Sequence, residues 1–497
     1  MMRRHVDLLV IGGGVNGAAV ARDAAGRGMK VMLAERDDYA SATSSGSSNL
    51  IHGGLRYLET FEFGLVRESL RERENLLHAA PYLVRPLRFL VPLSADQRRP
   101  GWQMWLGLKL YDFLSGSSSL PRSGRLSRAE TATIPRLRGD ALRAVLHYHD
   151  CQTDDARLVM ALLLDARERG ADIANRREVI ALKGIQQGFG VTLRENGRRR
   201  DVTARFVVNA AGPWADRLDA MAKGRSQRCL RLVRGSHIVL KMPRPATADA
   251  FTLQMPDGRI VFVMPWLGAR YLVIGTTDLP HDGDAADACC TTEERDYLLA
   301  AYNRYFTHAR GKAAPRDIVW SWSAVRPLVD DGSGDPSKVS RSADITSRRQ
   351  GKGGLVSVWG GKLTTHRALA EEVIAALGGM GASIGNPWTH GATLPGGGAS
   401  LEDLAREVVR GPSSVPVSAR RRWADSYGDR IGLLYARIGR NPREARLVAW
   451  GIPEAELHYA RDSEDARTAE DFLLRRSKLH LSLDRAGRAK IARWFAL

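Results

Sequence analysis

Three glycines followed by an acid form the most specific chemical pattern in this chain. Gly12, Gly14 and Gly17 make a G-x-G-x-x-G turn, in which glycine permits a tight bend, close approach of the backbone to a pyrophosphate, and tight packing of a helix on a strand. Glu35 follows about 20 residues later, where a carboxylate accepts hydrogen bonds from the ribose hydroxyls of an adenine dinucleotide. These residues predict that the chain binds a dinucleotide.

The elements that must position this turn follow one another in the required order. The run 6–11 is short, apolar and β-branched, which is typical of a strand buried on both faces. Residues 16–27 carry a helical pattern with small alanines, and 31–34 form a second strand that ends at Glu35. Because all these elements occur in order, the alternative of a glycine-rich turn without a ligand is disfavoured.

A second chemical segment is the loop from Ala42 to Tyr57, which crowds five hydroxyl residues among glycines. Such a loop offers backbone amides and hydroxyl groups to a phosphate or to the edge of a flavin ring. The alternative is a disordered linker, but His52, Arg56 and Tyr57 follow at once, together with apolar residues that can pack. We therefore expect an ordered loop that faces a ligand.

The composition limits the classes of partner and compartment. The 497 residues include 74 Lys and Arg but only 55 Asp and Glu, a net charge of +19. This excess favours an anionic partner (nucleic acid, anionic lipid or a phosphorylated substrate), although arginines spread over solvated faces explain part of it. Four cysteines without metal-ligand spacing fit a reducing compartment, and we predict no metal site. No run of about 18 apolar residues occurs, and the arginines in 1–5 lead directly into the first strand, so we expect neither a membrane span nor an export signal.

Ten motifs spread along nearly the whole chain carry a resemblance to a known family. They are VIGGGVNGA at 10–18, TSSGSSNLIHGGLRYL at 43–58, DDARL at 154–158, NAAGPWAD at 209–216, RGSHIVL at 234–240, FVMPW at 262–266, IGTTD at 274–278, AVRPL at 324–328, GGKLTTHR at 360–367 and TAEDFLLRRSKL at 468–479. With these motifs the chain resembles the FAD-dependent glycerol-3-phosphate dehydrogenases of the aerobic, membrane-associated bacterial type, and so many matches in the family's order exclude chance as their cause. One departure is Asn49, where the family often has lysine, and we assign no cationic role to that position.

The resemblance implies FAD as the cofactor, bound by the glycine turn, the hydroxyl-rich loop and two turns that follow strands. The turn 209–214 ends an apolar strand, at the place where open α/β sheets bind ligands. The turn 360–364 precedes a helix, whose amides and positive dipole end suit the negative charge at the N1–C2=O edge of a reduced flavin. The implied FAD-binding residues are Gly12, Gly14, Asn16, Gly17, Glu35, Thr43, Ser44, Ser45, Leu50, His52, Gly53, Gly54, Ala211, Gly212, Gly361, Lys362, Leu363 and Thr364.

The resemblance also implies the residues that act on the substrate. A phosphate monoester is held best by the bidentate fork of arginine, and Arg56 and Arg326 are the candidates. His237 lies between apolar residues, and the family match favours a base that removes an alcohol proton over a core histidine. Tyr57 and Lys362 are further expected substrate ligands.

The implied reaction is oxidation of sn-glycerol 3-phosphate to dihydroxyacetone phosphate, with transfer of the C2 hydride to FAD and reoxidation by a membrane quinone. The polar turn 276–278 is expected to shape the pocket without taking part in the chemistry. Three alternatives stay open: an oxidase of the same fold that uses oxygen, a basic flavoprotein that acts on nucleic acid, and an FAD-fold protein that only binds. The second lacks a recognisable nucleic-acid module, so we predict no nucleic-acid partner. The complete set of candidate substrate residues argues against the third.

The predicted fold class is α/β, with a Rossmann-like FAD-binding domain of the glutathione-reductase and amino-acid-oxidase type, an antiparallel β cap and a C-terminal helical domain. The oxidoreductase part spans 1–395, with FAD-binding segments at about 1–85, 150–225 and 325–395 and a substrate cap mainly at 226–324. The glycine-rich stretch 394–398 is the clearest linker, and 399–497 has the pattern of short helices rich in arginine.

The segment 85–114 combines basic and aromatic residues in the manner of a helix that lies in a membrane interface. After Pro100 it contains Trp102 and Trp105 among several apolar residues. A buried helix and a dimer contact are the alternatives, and composition alone does not separate them. Because an enzyme that reduces a quinone needs access to lipid, we expect peripheral (monotopic) binding to anionic lipid at the cytoplasmic face of the inner membrane. We also expect a homodimer.

Overall fold

The computed structural model describes residues 4–94, 97–139, 142–223, 226, 228–243, 246–308, 311–330 and 343–497. Its strands are β1 (Arg4–Ile11), β2 (Val31–Ala34), β3 (Leu50–Ile51), β4 (Arg85–Ser94), β5 (Gly124–Arg125), β6 (Leu142–Gln152), β7 (Asp172–Ala174), β8 (Arg177–Ile185), β9 (Gly188–Glu195), β10 (Arg198–Asn209), β11 (Leu230–Lys241), β12 (Ala250–Gln254), β13 (Ile260–Trp266), β14 (Tyr271–Gly275), β15 (Leu279–Pro280), β16 (Ile318–Val329), β17 (Asp344–Gln350), β18 (Gly353–Trp359), β19 (Leu447–Ala449) and β20 (Ile452–Pro453). Its helices are α1 (Val15–Gly26), α2 (Phe63–Ala79), α3 (Gly101–Ser115), α4 (Arg128–Ala132), α5 (Asp155–Glu168), α6 (Ala215–Lys223), α7 (Thr292–Tyr305), α8 (His366–Gly379), α9 (Leu401–Arg410), α10 (Val417–Tyr427), α11 (Ile431–Arg440), α12 (Glu454–Glu464) and α13 (Arg485–Ala496). Parts of the predicted segments lie outside the described residues: 1–3 at the expected N-terminus, 95–96 in the expected interfacial segment, 224–225 and 331–342 in the FAD-binding segments, and 227, 244–245 and 309–310 in the cap.

The first sheet has the strand order β17-β18-β10-β1-β2-β7, and β8 and β9 extend it beside β10. From β18 to β7 the neighbouring strands are parallel, and α1 crosses over between β1 and β2. The register pairs Ile11 with both Ala34 and Asn209, and it pairs Asn209 with Ser357. Four parallel strands therefore end at the same edge, which is where open α/β sheets bind ligands.

The predicted N-terminal unit of strand, turn, helix and strand is confirmed. The helix α1 begins at Val15 and ends at Gly26, each one residue from the predicted bound, and β2 has the predicted bounds. Ala18, Ala21 and Ala24 on α1 are fully buried against the sheet and the neighbouring helices α5 and α8. Small side chains at these positions allow the helix to lie close to the sheet, so its N-terminus reaches the sheet edge.

The second sheet is antiparallel except where β12 pairs with β4, and it has the order β15-β11-β14-β13-β12-β4-β6-β3, with β16 beside β11. Its strands β11, β13 and β14 lie in the segment 226–324 that is predicted to form the cap. The long strands β4 and β6 also belong to this sheet, although the predicted division assigns 86–149 neither to the FAD-binding segments nor to the cap. The prediction of an interfacial helix is wrong for 85–94, which form β4, and a helix begins only at Gly101. Pro86 and Pro92 interrupt the pattern of β4, and prolines within a run argue against a strand because proline cannot donate to the ladder.

The C-terminal part contains α9 to α13 and the hairpin β19–β20. The glycine-rich stretch before it is packed rather than free. The amide of Leu394 donates to the carbonyl of Ala79 (2.8 Å), and the Tyr82 hydroxyl donates to the carbonyl of Pro395 (2.6 Å). A Cβ on Gly396 would lie 2.4 Å from the carbonyl oxygen of Tyr427, so only glycine fits this contact. The predicted class, a parallel α/β layer with an antiparallel sheet and C-terminal helices, is confirmed.

Candidate active site

A cavity of about 480 Å³ lies at the carboxyl edge of the first sheet and extends to β11 and β16 of the second. Its volume falls in the range typical of sites for small molecules and cofactors. The predicted site residues that line it are Gly12, Gly14, Asn16, Glu35, Thr43, Ser44, Leu50, His52, Tyr57, Ala211, Gly212, Arg326, Gly361, Lys362, Leu363 and Thr364. The structure therefore brings most of the predicted cofactor residues to one cavity.

The glycine turn closes tightly beneath α1. A Cβ on Gly12 would lie 2.4 Å from the carbonyl oxygen of Ala210, and one on Gly17 would lie 1.9 Å from the carbonyl oxygen of Gly12. Gly17 therefore does not line the cavity but lets the helix approach the turn. Glu35 holds the same turn, because its two carboxylate oxygens accept the amides of Gly13 (2.6 Å) and Asp37 (2.8 Å). Burial raises the pKa of this carboxyl. Each oxygen has a second lone pair, so acceptor capacity toward the cavity remains.

Asn16 tests whether the cavity fits a hydroxyl-bearing cofactor. Its Nδ2 donates to the carbonyl of Gly360 (3.0 Å), which orients the amide at the cavity wall. Its buried Oδ1 has no hydrogen-bond partner among the described residues. Since a buried acceptor without a donor is costly, a hydroxyl of a bound molecule would satisfy it. The sugar hydroxyls and the ribityl chain of FAD supply such donors.

The turn at 360–364 brings the start of α8 to the cavity. Gly361, Lys362, Leu363 and Thr364 line the wall, and α8 begins at His366 without a side-chain cap. Free amides at a helix N-terminus favour negative charge. This edge therefore suits the anionic edge of a reduced flavin.

The hydroxyl-rich loop is ordered by contacts with both sheets. The Thr43 hydroxyl donates to the carbonyl of Val325 (2.7 Å), and the amide of Val15 donates to Ser44 Oγ (3.0 Å). Three of its predicted residues do not line the cavity: Ser45, Gly53 and Gly54. The amide of Gly53 donates to the Tyr111 hydroxyl (2.8 Å), which fixes the loop on α3. These three residues shape the backbone rather than the wall.

The predicted phosphate ligands meet at one carboxylate. Arg56 Nη1 lies 3.3 Å from Asp278 Oδ2, and Arg326 Nη1 forms an ion pair with Asp278 Oδ1. Nearby, Lys362 Nζ lies 3.8 Å from the centre of the Tyr57 ring, a cation–π contact. Arg56 does not line the main cavity, but its partner Asp278 connects it to Arg326 on the wall. The predicted site gives Asp278 only a shaping role; its sequence signal is an acid directly after a strand and two threonines.

His237 lies behind the cavity wall rather than on it. It is buried, its Nε2 lies 2.8 Å from Ser48 Oγ, and its ring stacks on Trp322 with centroids 4.9 Å apart. Ser48 does line the cavity. Burial, and then the charge of Arg326, lower the pKa of His237 to about 3. The imidazole is therefore neutral at physiological pH, and Ser48, which the prediction omits, separates it from the cavity.

The arrangement combines three chemical capacities. The guanidinium group of Arg326 lies on the wall of a dinucleotide-type cavity, and the neutral imidazole of His237 lies behind Ser48 on the same wall. Among the described residues, no group of three or more His, Cys, Asp or Glu side chains is placed to hold a metal ion. The site is suited to removing a proton from an alcohol whose anionic group is held by arginine.

Two family models match the chain. The model described as FAD dependent oxidoreductase matches residues 7–367. The model described as the C-terminal domain of alpha-glycerophosphate oxidase matches residues 388–496. The first match covers both sheets and the cavity, and the second covers the C-terminal helices.

The chain is also similar to known proteins over nearly its whole length. It is 43% identical to D-erythritol 1-phosphate dehydrogenase of Brucella abortus, a match that covers 98% of this chain and 97% of that protein. It is 40% identical to glycerol-3-phosphate dehydrogenase of Pseudomonas aeruginosa, with 98% and 94% covered. The solved structure of the glycerol-3-phosphate dehydrogenase from Bacillus halodurans complexed with FAD matches with a TM-score of 0.79 and 28% identity, over 99% of this chain and 90% of that one. These matches confirm the predicted resemblance and fold.

Proposed function

This chain belongs to the family of FAD-dependent oxidoreductases, and from that premise we propose that it is a glycerol-3-phosphate dehydrogenase, which oxidises sn-glycerol 3-phosphate to dihydroxyacetone phosphate. The observation that carries the proposal is the convergence of Arg56 and Arg326 on Asp278, with Arg326 on the wall of a dinucleotide-type cavity. A pair of arginine forks fits a phosphate monoester. The names and extent of the relatives support the same activity.

FAD fits the cavity, and this chain's residues would hold it along the carboxyl edge of the first sheet. The glycine turn and the α1 N-terminus would hold the pyrophosphate, and Glu35 would accept hydrogen bonds from the ribose. Asn16 Oδ1 and the turn 361–364 would hold the flavin end. Bound FAD supplies the two-electron acceptor that takes the C2 hydrogen of the substrate as hydride.

To bind, the substrate phosphate must displace the Asp278 carboxylate from the two arginines. Arg56 and Arg326 already lie on the same carboxylate, so an incoming phosphate finds both forks within reach. Lys362, held over the Tyr57 ring, adds a third cation at the same end of the cavity. Holding the phosphate in this way fixes the orientation of C2 and thereby reduces the entropy that the reaction must lose.

The C2 hydroxyl proton has a path to His237. Ser48 Oγ faces the cavity and lies 2.8 Å from His237 Nε2, so it can accept the substrate proton as it gives its own to the imidazole. The neutral imidazole is the form that accepts a proton. Loss of this proton and of the C2 hydride leaves a ketone at C2.

A second substrate deserves the same assay, because one relative is named for it. The 43% identical protein is a D-erythritol 1-phosphate dehydrogenase. That compound presents a phosphate monoester on a longer polyol, so the arginine site described above fits it as well.

Anaerobic addition of glycerol 3-phosphate is expected to bleach the flavin absorption of the purified yellow protein, because the substrate reduces bound FAD. D-erythritol 1-phosphate is measured in parallel, and glycerol, which lacks the phosphate, is the control. Faster bleaching by glycerol 3-phosphate supports the main proposal, and bleaching by the erythritol compound alone would transfer it to the second candidate. If neither phosphate bleaches the flavin, the proposed activity is wrong. If the yellow colour returns rapidly with a quinone and only slowly with oxygen, the protein is a dehydrogenase. Rapid return with oxygen, together with release of peroxide, indicates the oxidase alternative.

We propose that a membrane quinone accepts the electrons and that α3 binds the membrane surface. The side chains of Trp102, Leu106 and Phe113 on α3 are largely exposed, while Met104 and Leu108 hold the helix on the protein. The helix also contacts the turn that carries Arg56 and Tyr57, two of the predicted substrate ligands. None of the described helices is both long and apolar enough to cross a membrane. The exposed apolar face of α3, with basic residues in the segment that leads into it, suits peripheral binding to anionic lipid at the cytoplasmic face of the inner membrane.

Replacement of Trp102 and Trp105 with glutamate is expected to reduce flotation with anionic liposomes by roughly tenfold or more, because both indoles lose their apolar insertion and two negative charges are added. The measurement is the fraction of protein that rises with the liposomes, at low and at moderate salt. Trp450→Glu is the matched control, because Trp450 is also an exposed tryptophan but lies in the C-terminal part. Equal flotation of the wild type and the α3 variant would show that α3 is not the anchor.

A further inference from the structure

A segment of the C-terminal domain, residues 471–482, contacts the loop that follows β2 of the first sheet and strand β14 of the second. On the side of the first sheet, Arg475 and Arg476 bind the buried carboxylate of Asp38. On the side of the second sheet, the Tyr271 hydroxyl donates to the carbonyl of Leu481 (2.9 Å). The segment therefore joins a loop at the edge of the first sheet to a strand of the second.

Lys478 lies at the centre of this segment and points toward the hydroxyl-rich loop. Its side chain is buried, and its Nζ lies 2.9 Å from Asn49 Oδ1, 2.7 Å from Asp155 Oδ1 and 3.2 Å from Asp154 Oδ1. These three acceptors match the three donors of an ammonium group. Burial by itself lowers the pKa of Lys478, but the carboxylates of Asp154 and Asp155 raise it above its usual value, so the group is charged.

Asp155 connects Lys478 to Ser47 in the hydroxyl-rich loop. Its Oδ1 accepts from Lys478, while its Oδ2 accepts from the amide (3.1 Å) and the hydroxyl (2.7 Å) of Ser47. Asp155 is fully buried, so the loss of its cation would leave a buried carboxylate without its charge partner. Lys478 thus holds the loop on both sides of Ser48, at Ser47 through Asp155 and at Asn49 directly.

Ser48 is the residue that contacts the base. Its Oγ lies 2.8 Å from His237 Nε2, and it is bracketed by the two positions that Lys478 fixes. Asn49 has a left-handed backbone (φ 56°), a conformation that asparagine tolerates better than most residues. Asn49 therefore acts as a hydrogen-bond acceptor for Lys478. The positive charge beside this part of the loop is that of Lys478, which belongs to the C-terminal domain.

We propose that Lys478 is a positioning residue for proton removal: from the C-terminal domain it fixes the loop 47–49 so that Ser48 stays aligned between the substrate hydroxyl and His237. The inference rests on the proposed function for the identity of the base. It gives the C-terminal domain a part in catalysis although that domain lines none of the wall of the main cavity.

The test replaces Lys478 with methionine, which keeps length and removes the charge. In protein loaded with FAD, anaerobic flavin reduction at saturating substrate is expected to slow by about 100-fold, the order of loss that follows from a small misplacement of reacting groups. KM is expected to change little, because the arginines that hold the phosphate are untouched. The solvent deuterium isotope effect on flavin reduction is expected to rise, since O–H cleavage becomes slower.

Arg176→Gln is the matched control. Arg176 binds Asp471 (2.9 Å) and so also joins the first sheet to the same segment, but it contacts none of 47–49. We expect this variant to reduce its flavin within about twofold of the wild-type rate, even where its Tm falls as much as that of the methionine variant. If both variants lose rate in proportion to their loss of Tm, or if Lys478→Met reduces at the wild-type rate, the proposal is wrong.

Ser47→Ala keeps the test decisive if Lys478→Met does not fold. This change removes the hydroxyl bond to Asp155 and the acceptor of the Asn49 amide (2.9 Å) on the half-exposed loop, while Lys478 and its carboxylates stay in place, and we expect a rate loss of roughly tenfold with little change in Tm. An unchanged rate in Ser47→Ala would overturn the positioning role. Failure of the proposed function has a different signature, since the wild type itself would then not be reduced by any polyol phosphate.

Discussion

Replacement of Arg326 with lysine is expected to lower kcat/KM for glycerol 3-phosphate by about 100-fold while FAD stays bound, because hydrogen bonds between charged groups contribute about 1.5–3 kcal/mol each. Both terminal nitrogens of Arg326 are in use, Nη1 on Asp278 and Nη2 on Thr276 Oγ1 (3.3 Å). A phosphate that displaces Asp278 could accept hydrogen bonds from both terminal nitrogens of the guanidinium group. Lysine keeps the charge but offers one compact ammonium, so the fork is lost.

The measurement is steady-state kinetics with a soluble quinone, normalised to flavin content. Arg234→Lys is the matched control: Arg234 lies on β11 beside the position paired with Arg326, but it binds Glu294 (3.1 Å) and does not line the cavity. We expect the control to keep kcat/KM within about threefold of the wild type. Unchanged kcat and KM in Arg326→Lys would remove Arg326 from the phosphate site.

The cofactor end of the site follows from local sequence. The turn at Gly12, the helix after it and the acid at the end of β2 lie within one unit of about thirty residues, and every step has its own residue signal. Once β1 pairs with β10, the parallel register brings the strand end at Asn209 next to that turn. For this reason the cavity-lining residues of the turns are the part of the site that sequence predicts best.

The substrate end depends on contacts between distant parts of the chain. Asp278 joins arginines that are separated from it by 222 and 48 positions, and Lys478 lies 429 positions from Asn49. Such contacts arise when the two sheets and the C-terminal domain pack, and no periodicity in the sequence encodes them. The resemblance named the arginines and the histidine, but only the packed structure shows Ser48 between His237 and the cavity.

Dependence on long-range contacts also explains why the sequence did not predict that β4 and β6 belong to the second sheet. Strands β4 and β6 pair over most of their length, yet β4 contains two prolines and its partner residues lie 48 to 67 positions later in the chain. Sequence patterns record which residues favour a strand and not which strand will pair with it. The assignment of individual site residues, including the base, stays a prediction that the variants test.

Replacement of His237 with glutamine is expected to lower kcat by about 10²–10⁴-fold, the range for loss of a general base, with smaller change in KM. The glutamine amide can still reach Ser48 Oγ, so the loop keeps a partner, but it cannot take up a proton. The control is His147→Gln, because His147 also lies on the second sheet and burial also lowers its pKa, while it is outside the cavity. A kcat that falls equally in both variants, or in neither, would assign the base elsewhere.

The pH dependence of stability offers a second, independent test of His237. Its pKa in the folded protein is about 3, lowered by burial and then by Arg326, whereas an unfolded histidine titrates near about 6.5. Between these two values the unfolded chain binds a proton that the folded chain does not, so the free energy of unfolding falls as the pH falls through this window. At about 1.4 kcal/mol per pH unit, this one histidine should reduce stability by roughly 2 kcal/mol between pH 7 and pH 5. His237→Gln is therefore expected to lose less of its Tm than the wild type on acidification from pH 7 to pH 5. Equal losses would mean that the imidazole is exposed or already charged in the folded protein, which contradicts both its burial behind Ser48 and its use as a neutral base.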